Sequence, residues 1–262
     1  MTQGNSVEAW VETLDLREVL SPSQKESILT RYRATRRESG VEEADRAWLQ
    51  APLKTWFSVL KVAGTEARTD AGECADAGDQ AGVEVLTGLG NRSDSANQDD
   101  ADEQTRGMGD GRGMTRKDMA VLGILIGETL PIRDGLIVSL MYTRDDLDFS
   151  RLLDLCLRPH RPDNVALLCE TLDSAFKDRR FHPNLSRCRA GLLLLDKMAR
   201  FMCPGHKAQS RAVAAYALWW MGGDEAADTA QKALEDDGQC SLAAIVLSLT
   251  IHGILPAWKE SG

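Results

Sequence analysis

The sequence lacks a hydrophobic run long enough to cross a membrane. Its densest apolar stretch, Met119 to Ile126, covers eight residues, whereas a membrane-spanning helix needs about 20. The chain also lacks a positively charged start followed by an apolar run, the pattern that marks a secretory signal. We therefore expect a cytoplasmic protein that has no membrane partner.

Cysteine pairs with metal-ligand spacing are also missing, because no two of the six cysteines form a C-x-x-C motif. Most of them occupy apolar positions in helical patterns, which is typical of small buried side chains in a reducing compartment. His182, Cys188, Cys203 and His206 together have the ligand types of a zinc site. Only Cys203 and His206 are closely spaced, whereas zinc ligands normally come in close pairs. We predict neither a metal nor a cofactor.

Catalytic signatures are absent too. The sequence contains no nucleophile elbow, P-loop, dinucleotide fingerprint or H-E-x-x-H motif. The protein is therefore expected to be non-catalytic, although an enzyme remains the alternative.

Acidic charge is concentrated in one segment. Residues 64–113 contain twelve acidic residues and four arginines but no lysine and no aromatic residue, and this gives the segment −8 of the chain's net charge of −9. The segment also holds ten of the 22 glycines. Such a composition buries too little apolar surface to offset the entropy of ordering, so we predict a disordered linker. The nearly neutral remainder gives no general electrostatic case for nucleic acid.

The segments on either side of this linker have helical patterns. Ser21-Pro22 predicts a helix start and Gly40 its end, and a second helix from Val41 is expected to break at Pro52. After the linker, Thr115 and Asp118 form a capping-box pattern before the run from Met119. The sequence therefore predicts an all-α fold, with a helical segment over residues 1–63 and a helical domain over residues 114–262.

Two further helices have predicted caps and faces. Asp163 and Ser186 are the candidate amino-terminal caps. In the first of these helices the apolar positions recur every three or four residues and are expected to face the core: Val165, Leu168, Cys169, Leu172, Ala175 and Phe176.

The last fifty residues predict a stack of three helices. These run from about Ala208 to Trp220, from Asp224 to Asp236 and from Ser241 to Ile251. The second carries alanines at 226, 230 and 233, which allow a neighbouring helix to approach closely. Their spacing resembles one tetratricopeptide repeat, but a lone repeat cannot bury a continuous core.

Three features of the second half of the chain occur in a recognisable order: Pro131 to Asp134 after a leucine-rich helix, the Gly223-Asp224 turn, and Ser241-Leu242 before a terminal Leu-Pro with Trp258. With these features the chain resembles the domain of unknown function 4192 family of actinobacteria. The resemblance covers residues 113–262. Members of that family usually begin with an α/β region, and no strand pattern precedes Trp10. The resemblance therefore implies that this chain corresponds to the helical part of such a protein.

Arg133 and Asp134 are the charged pair that the resemblance singles out. An arginine at the mouth of a helix bundle can bind a phosphate or a carboxylate. The structural alternative is that Asp134 interacts with the helix dipole while Arg133 pairs with another carboxylate. The runner-up function is therefore a ligand-binding or enzymatic domain that anchors an anion through Arg133 and is completed by the absent α/β region.

Three tryptophans are the candidate contact residues of the leading hypothesis, which is a helical protein-interaction module with an unknown protein partner. Trp219 and Trp220 lie on opposite sides of one helix, so one is expected in the core and the other over a groove or a partner. Trp258 belongs to the same terminal block. A basic stretch that includes Arg33 and Arg36 is flanked by glutamates, which favours a solvated helix face over a nucleic-acid site.

Overall fold

The computed structural model describes residues 19–73, 113–142, 147–203 and 206–261, together with Val7 and Trp10; side chains are described as far as Thr65 in the first range and Lys259 in the last. Within these ranges the fold is all-α, as predicted, with no strand. Ten helices are present: α1 (Pro22–Ser39), α2 (Val41–Glu73), α3 (Arg116–Glu128), α4 (Leu130–Met141), α5 (Phe149–Leu157), α6 (Pro162–Lys177), α7 (Leu185–Phe201), α8 (Ala208–Trp220), α9 (Ala226–Asp236) and α10 (Ser241–Ile251). A 3-10 helix, Ala257–Ser261, follows them.

Local capping chemistry sets several helix starts where the sequence predicts them. The Ser21 hydroxyl accepts the backbone N–H of Gln24 at 3.2 Å, and the Gln24 side chain accepts the Ser21 N–H at 2.9 Å. Thr115 and Asp118 form the same reciprocal arrangement at the start of α3. Each pair satisfies two backbone donors that a helix leaves free.

Helix α2 corrects two predictions. Pro52 does not break the helix, because Trp48 and Leu49 before it and Leu53 and Trp56 after it are all buried in one core. Each such side chain contributes about 1.5–3 kcal/mol, which outweighs the roughly 3 kcal/mol cost of an internal proline. The helix also extends to Glu73, so residues 64–73 of the predicted linker are helical. Residues 74–112 of that linker lie outside the described residues.

Helix α6 is rotated relative to the prediction. Its buried residues are Asn164, Leu167, Thr171 and Ala175. Of the predicted stripe, Ala175 is buried and Leu168 and Leu172 are half-buried against the core, as expected. Its other members, Val165, Cys169 and Phe176, are exposed, so the buried face is turned by only part of the roughly 100° that separates neighbouring residues. The cause is a contact with α5: the Asn164 amide donates to the backbone oxygens of Asp154 and Arg158 at 3.1 and 2.9 Å.

The predicted caps of two helices are wrong by two residues. The residue that precedes α6 is Arg161, and Asp163 lies in the first turn. The cap of α7 is Asn184, whose side-chain oxygen accepts the N–H of Arg187 at 3.0 Å, and not Ser186.

The three carboxy-terminal helices form the predicted stack, since α8, α9 and α10 all contact one another. Ala226, Ala230 and Ala233 of α9 are 1, 0 and 0% exposed, as their small size suggested. Helix α8 lies at the centre, because it also contacts α3, α4 and α7. The amino-terminal and carboxy-terminal helices therefore share one continuous hydrophobic core.

Candidate interaction surface

The tryptophans predicted as contact residues are part of the protein interior. Trp219 and Trp220 are 3% and 0% exposed, and Trp258 is partly buried. The segment that follows α10 covers the two tryptophans of α8. The Trp219 indole donates to the Ile254 backbone oxygen at 2.8 Å, and the Trp258 indole donates to the Trp220 backbone oxygen at 2.9 Å. Both tryptophans of α8 are therefore buried, whereas the sequence predicts one in the core and the other over a groove or a partner.

An exposed apolar surface lies directly above these tryptophans. Phe176 of α6 stacks on Trp219, with ring centroids 4.9 Å apart, and is itself 42% exposed. Ile254, whose backbone oxygen binds the same Trp219, is 44% exposed, and Leu255 is 41% exposed. Trp219 thus forms the floor beneath an apolar rim that faces solvent.

The outer face of α10 extends this surface. Its inner face buries Leu242, Ala243 and Val246. On the opposite face Ala244 and Ser248 lie one turn apart, with Ile251 at the end of their row and Ile245 beside it. These two isoleucines are 54% and 71% exposed. We define the α10 surface as Ala244, Ile245, Ser248, Ile251, Ile254, Leu255 and Phe176.

The α10 surface carries no formal charge along the chain. From Ser241 to Pro256 the sequence contains no aspartate, glutamate, lysine or arginine. The exposed His252, whose Nδ1 lies 2.8 Å from the Ser248 backbone oxygen, is the one ionisable side chain of this segment. The terminal helix of a helical stack normally has a polar outer face, because that face must remain soluble. Contiguous exposed apolar residues on a folded protein commonly mark a contact site. This signal was present in the sequence, but an apolar helix without charge looks like a core helix until its neighbours are known.

Arg133, the predicted anion ligand, is directed into the bundle. Only 11% of its side chain is exposed, and its Nε and Nη2 atoms donate to Oδ1 of the adjacent Asp134 at 3.0 and 2.8 Å. The carboxylate partner is therefore the next residue in the chain. The remaining nitrogen, Nη1, is buried and has no hydrogen-bond partner among the described residues.

Two arginines of the basic stretch in α1 are engaged in ion pairs. Arg33 donates to both carboxylate oxygens of Glu128 at 2.8 and 2.9 Å, and these hydrogen bonds hold the pKa of Glu128 below its ordinary value. Arg36 donates to Oδ2 of the buried Asp45 at 3.1 Å. Both guanidinium groups therefore have intramolecular partners.

The four residues weighed as zinc ligands do not form a cluster. Over the described ranges, no three His, Cys, Asp or Glu side chains are placed to hold a metal ion. Cys188 is fully buried, its thiol lies 3.7 Å from the Leu140 backbone oxygen, and burial raises its pKa to about 12. A thiol in this state is protonated and is a poor ligand. His182 instead packs against Trp258, with ring centroids 5.7 Å apart.

No helix in the described part of the chain combines the length and the apolar character that a membrane span requires. Comparison with protein-family models, with curated proteins and with solved structures found no match in any of the three. The fold and the α10 surface therefore define the chain as an all-α protein with a charge-free apolar helix face at the end of its stack.

Proposed function

We propose that the chain is a non-catalytic protein-interaction module whose α10 surface binds an apolar-faced helix of a partner protein. The observation that carries this proposal is the exposure of Ile245 and Ile251, at 54% and 71%, on a helix that has no charged residue. Leaving such a surface in water forfeits the free energy that its burial would release.

The shape of the α10 surface favours a helix as the occupant. Ala244 and Ser248 are small exposed residues one turn apart, Ile251 lies at the end of their row, and Ile245 lies beside it. A neighbouring helix packs into such a row of small side chains in the way that α8 and α10 pack on the alanines of α9. A bound helix would occupy the position of the next helix in the stack.

Replacement of Ile251 by lysine is expected to weaken partner binding at least tenfold. Burial of one isoleucine contributes about 1.5–3 kcal/mol, and each 1.4 kcal/mol changes affinity about tenfold. Leu193→Lys on α7 is the matched control, because Leu193 is 60% exposed and lies on a different helix. Quantitative affinity capture should recover a partner protein with the wild type and with Leu193→Lys. The amount recovered with Ile251→Lys should be lower.

A photo-reactive residue at position 248 locates the contact. It should crosslink to an apolar-faced helical segment of the captured protein. The proposal is contradicted if no protein is captured, if Ile251→Lys captures the same protein equally well, or if the crosslinks map to a segment without an apolar helical face.

The family and the cellular location of the chain are part of the same proposal. Residues on which the resemblance to the domain of unknown function 4192 family rests coincide with element boundaries: Pro131 lies in the first turn of α4, and Gly223-Asp224 lies between α8 and α9. These coincidences support membership of that actinobacterial family, and the buried alanines of α9 support a tetratricopeptide-like terminal stack. A cytoplasmic location is proposed together with them.

A second candidate is a ligand-binding or enzymatic domain that anchors an anion through Arg133. The buried, unpartnered Nη1 atom favours it, because an unsatisfied buried donor costs about 1–3 kcal/mol. On this hypothesis a nucleotide or a phosphorylated metabolite should raise the melting temperature of the wild type and leave that of Arg133→Ala unchanged. An equal shift in both proteins would remove Arg133 from the site.

A further inference from the structure

A pocket of about 210 Å³ lies between α1, α3 and the start of α8, away from the α10 surface. Residues on one face of α1, Lys25, Leu29 and Arg33, form one wall. Polar side chains from elsewhere in the chain complete it: Glu128, His206, Gln209 and Asp237. The pocket is small for an organic cofactor, so its occupant must be compact.

Gly127 keeps this pocket open. A Cβ atom added at Gly127 would meet only the Gln209 side chain, at 3.9 Å, so a larger side chain would project into the space. Gly123, one turn earlier, has a different role, because a Cβ there would lie 3.1 Å from the sulfur of Met202. Gly123 therefore allows Met202 to pack closely against α3, and Gly127 leaves the pocket open.

The polar groups of the pocket are only partly satisfied. The carboxylate of Glu128 is occupied by Arg33 on both oxygens. Lys25 is half-buried and forms no ion pair within the described ranges. The side-chain oxygen of Gln209 is buried and receives no hydrogen bond there. One Asp237 oxygen accepts the Gln239 N–H at 2.9 Å. The pocket thus presents a cationic donor beside several acceptors.

A ligand that matches this arrangement must accept hydrogen bonds and also donate one. A fully ionised oxyanion meets only the first requirement, because it has no hydrogen to donate to the Gln209 oxygen or to Asp237. A phosphate group that retains a proton meets both: its oxygens accept from Lys25, and its hydroxyl donates to Gln209 or Asp237.

We propose that this pocket binds a protonated phosphate group, either as the free ion or as a compact phosphate monoester. Lys25 supplies the positive charge, and the side-chain oxygen of Gln209 accepts a hydrogen bond from the phosphate hydroxyl. The Arg33–Glu128 pair closes one side of the pocket and keeps the Glu128 carboxylate from repelling the ligand.

Calorimetric titration of the full chain at about pH 6, where a phosphate monoester is half protonated, tests this proposal. Inorganic phosphate, glycerol phosphate and sulfate are titrated in turn. Saturable binding of at least one of the two phosphates is expected, with sulfate at least tenfold weaker because it carries no proton. Tighter binding of glycerol phosphate than of inorganic phosphate would identify the ester as the ligand; the reverse order would identify the free ion.

Three variants locate the binding. Lys25→Ala should weaken phosphate binding at least tenfold, whereas Lys54→Ala, which removes an exposed lysine of α2 outside the pocket, should leave it unchanged. Gln209→Leu should lower the preference for phosphate over sulfate. The proposal is overturned if phosphate does not bind saturably, or if the wild type binds sulfate as tightly as phosphate. It is also overturned if Arg133→Ala lowers the affinity for phosphate and Lys25→Ala does not.

Discussion

Replacement of Trp56 by alanine is expected to lower the free energy of unfolding by about 4 kcal/mol. Trp56 is 0% exposed and lies near the middle of α2. Its indole N–H donates to the hydroxyl of Ser139 on α4 at 2.9 Å, and Ser139 is itself 1% exposed. The substitution therefore opens a cavity between two helices that lie on opposite sides of residues 74–112 in the chain.

The position of Trp56 makes the result informative about cooperativity. Trp56 and Trp220 belong to the same hydrophobic core, although they come from opposite ends of the chain. We expect urea to unfold the described helices in a single transition that shifts as a whole in Trp56→Ala. Far-ultraviolet circular dichroism and near-ultraviolet aromatic signals should report the same midpoint.

Two controls separate the contributions at this position. Trp56→Phe retains most of the ring and removes the N–H, so its cost is expected to be smaller than that of alanine. Leu193→Ala, at a 60% exposed position, should change stability by less than about 0.5 kcal/mol. A loss below about 1 kcal/mol in Trp56→Ala, or a second transition that the substitution leaves in place, would contradict a shared core.

Local chemistry explains why the sequence predicted many of the helix boundaries. The starts at Ser21 and Thr115 depend on side chains that bond to backbone groups three residues away, so the whole interaction is visible in a short window. The errors have distant causes. Pro52 is tolerated because residues on both sides of it pack into one core, and α6 is rotated because Asn164 binds oxygens of Asp154 and Arg158.

The candidate surface was harder to predict than the helices. Trp219, a contact residue predicted from the sequence, lies beneath the exposed Phe176, but the sequence did not indicate which residues face outward. That depends on the chain after α10, which turns at Gly253 with φ +64° and returns across α8. Ile245 and Ile251 look like core residues in a sequence window, because a charge-free helix gives no polar face to orient it.

The second large effect is expected at Asp45, which is 3% exposed and connects α1 to α2. Its Oδ1 accepts the Tyr32 hydroxyl at 2.6 Å, and its Oδ2 accepts from Arg36 at 3.1 Å. Burial, and then the bond to Asp45, raise the pKa of Tyr32, so its hydroxyl remains a neutral donor. The sequence predicts Arg36 on a solvated basic face, because its partner Asp45 follows only after the turn at Gly40.

Asp45→Ala is therefore expected to cost about 3 kcal/mol, since it leaves Arg36 without its carboxylate and the Tyr32 hydroxyl with only the Thr129 hydroxyl, at 3.2 Å. Asp45→Asn keeps an acceptor and should cost less. In a double-mutant cycle, Tyr32→Phe should cost less in the Asp45→Ala background than in the wild type, because the hydroxyl no longer has this partner to lose. Additive losses in urea unfolding would show that the Tyr32–Asp45 contact contributes nothing, and α1 would then be held by its apolar contacts, such as those of Ile28 and Leu29, and by the Arg33–Glu128 ion pair.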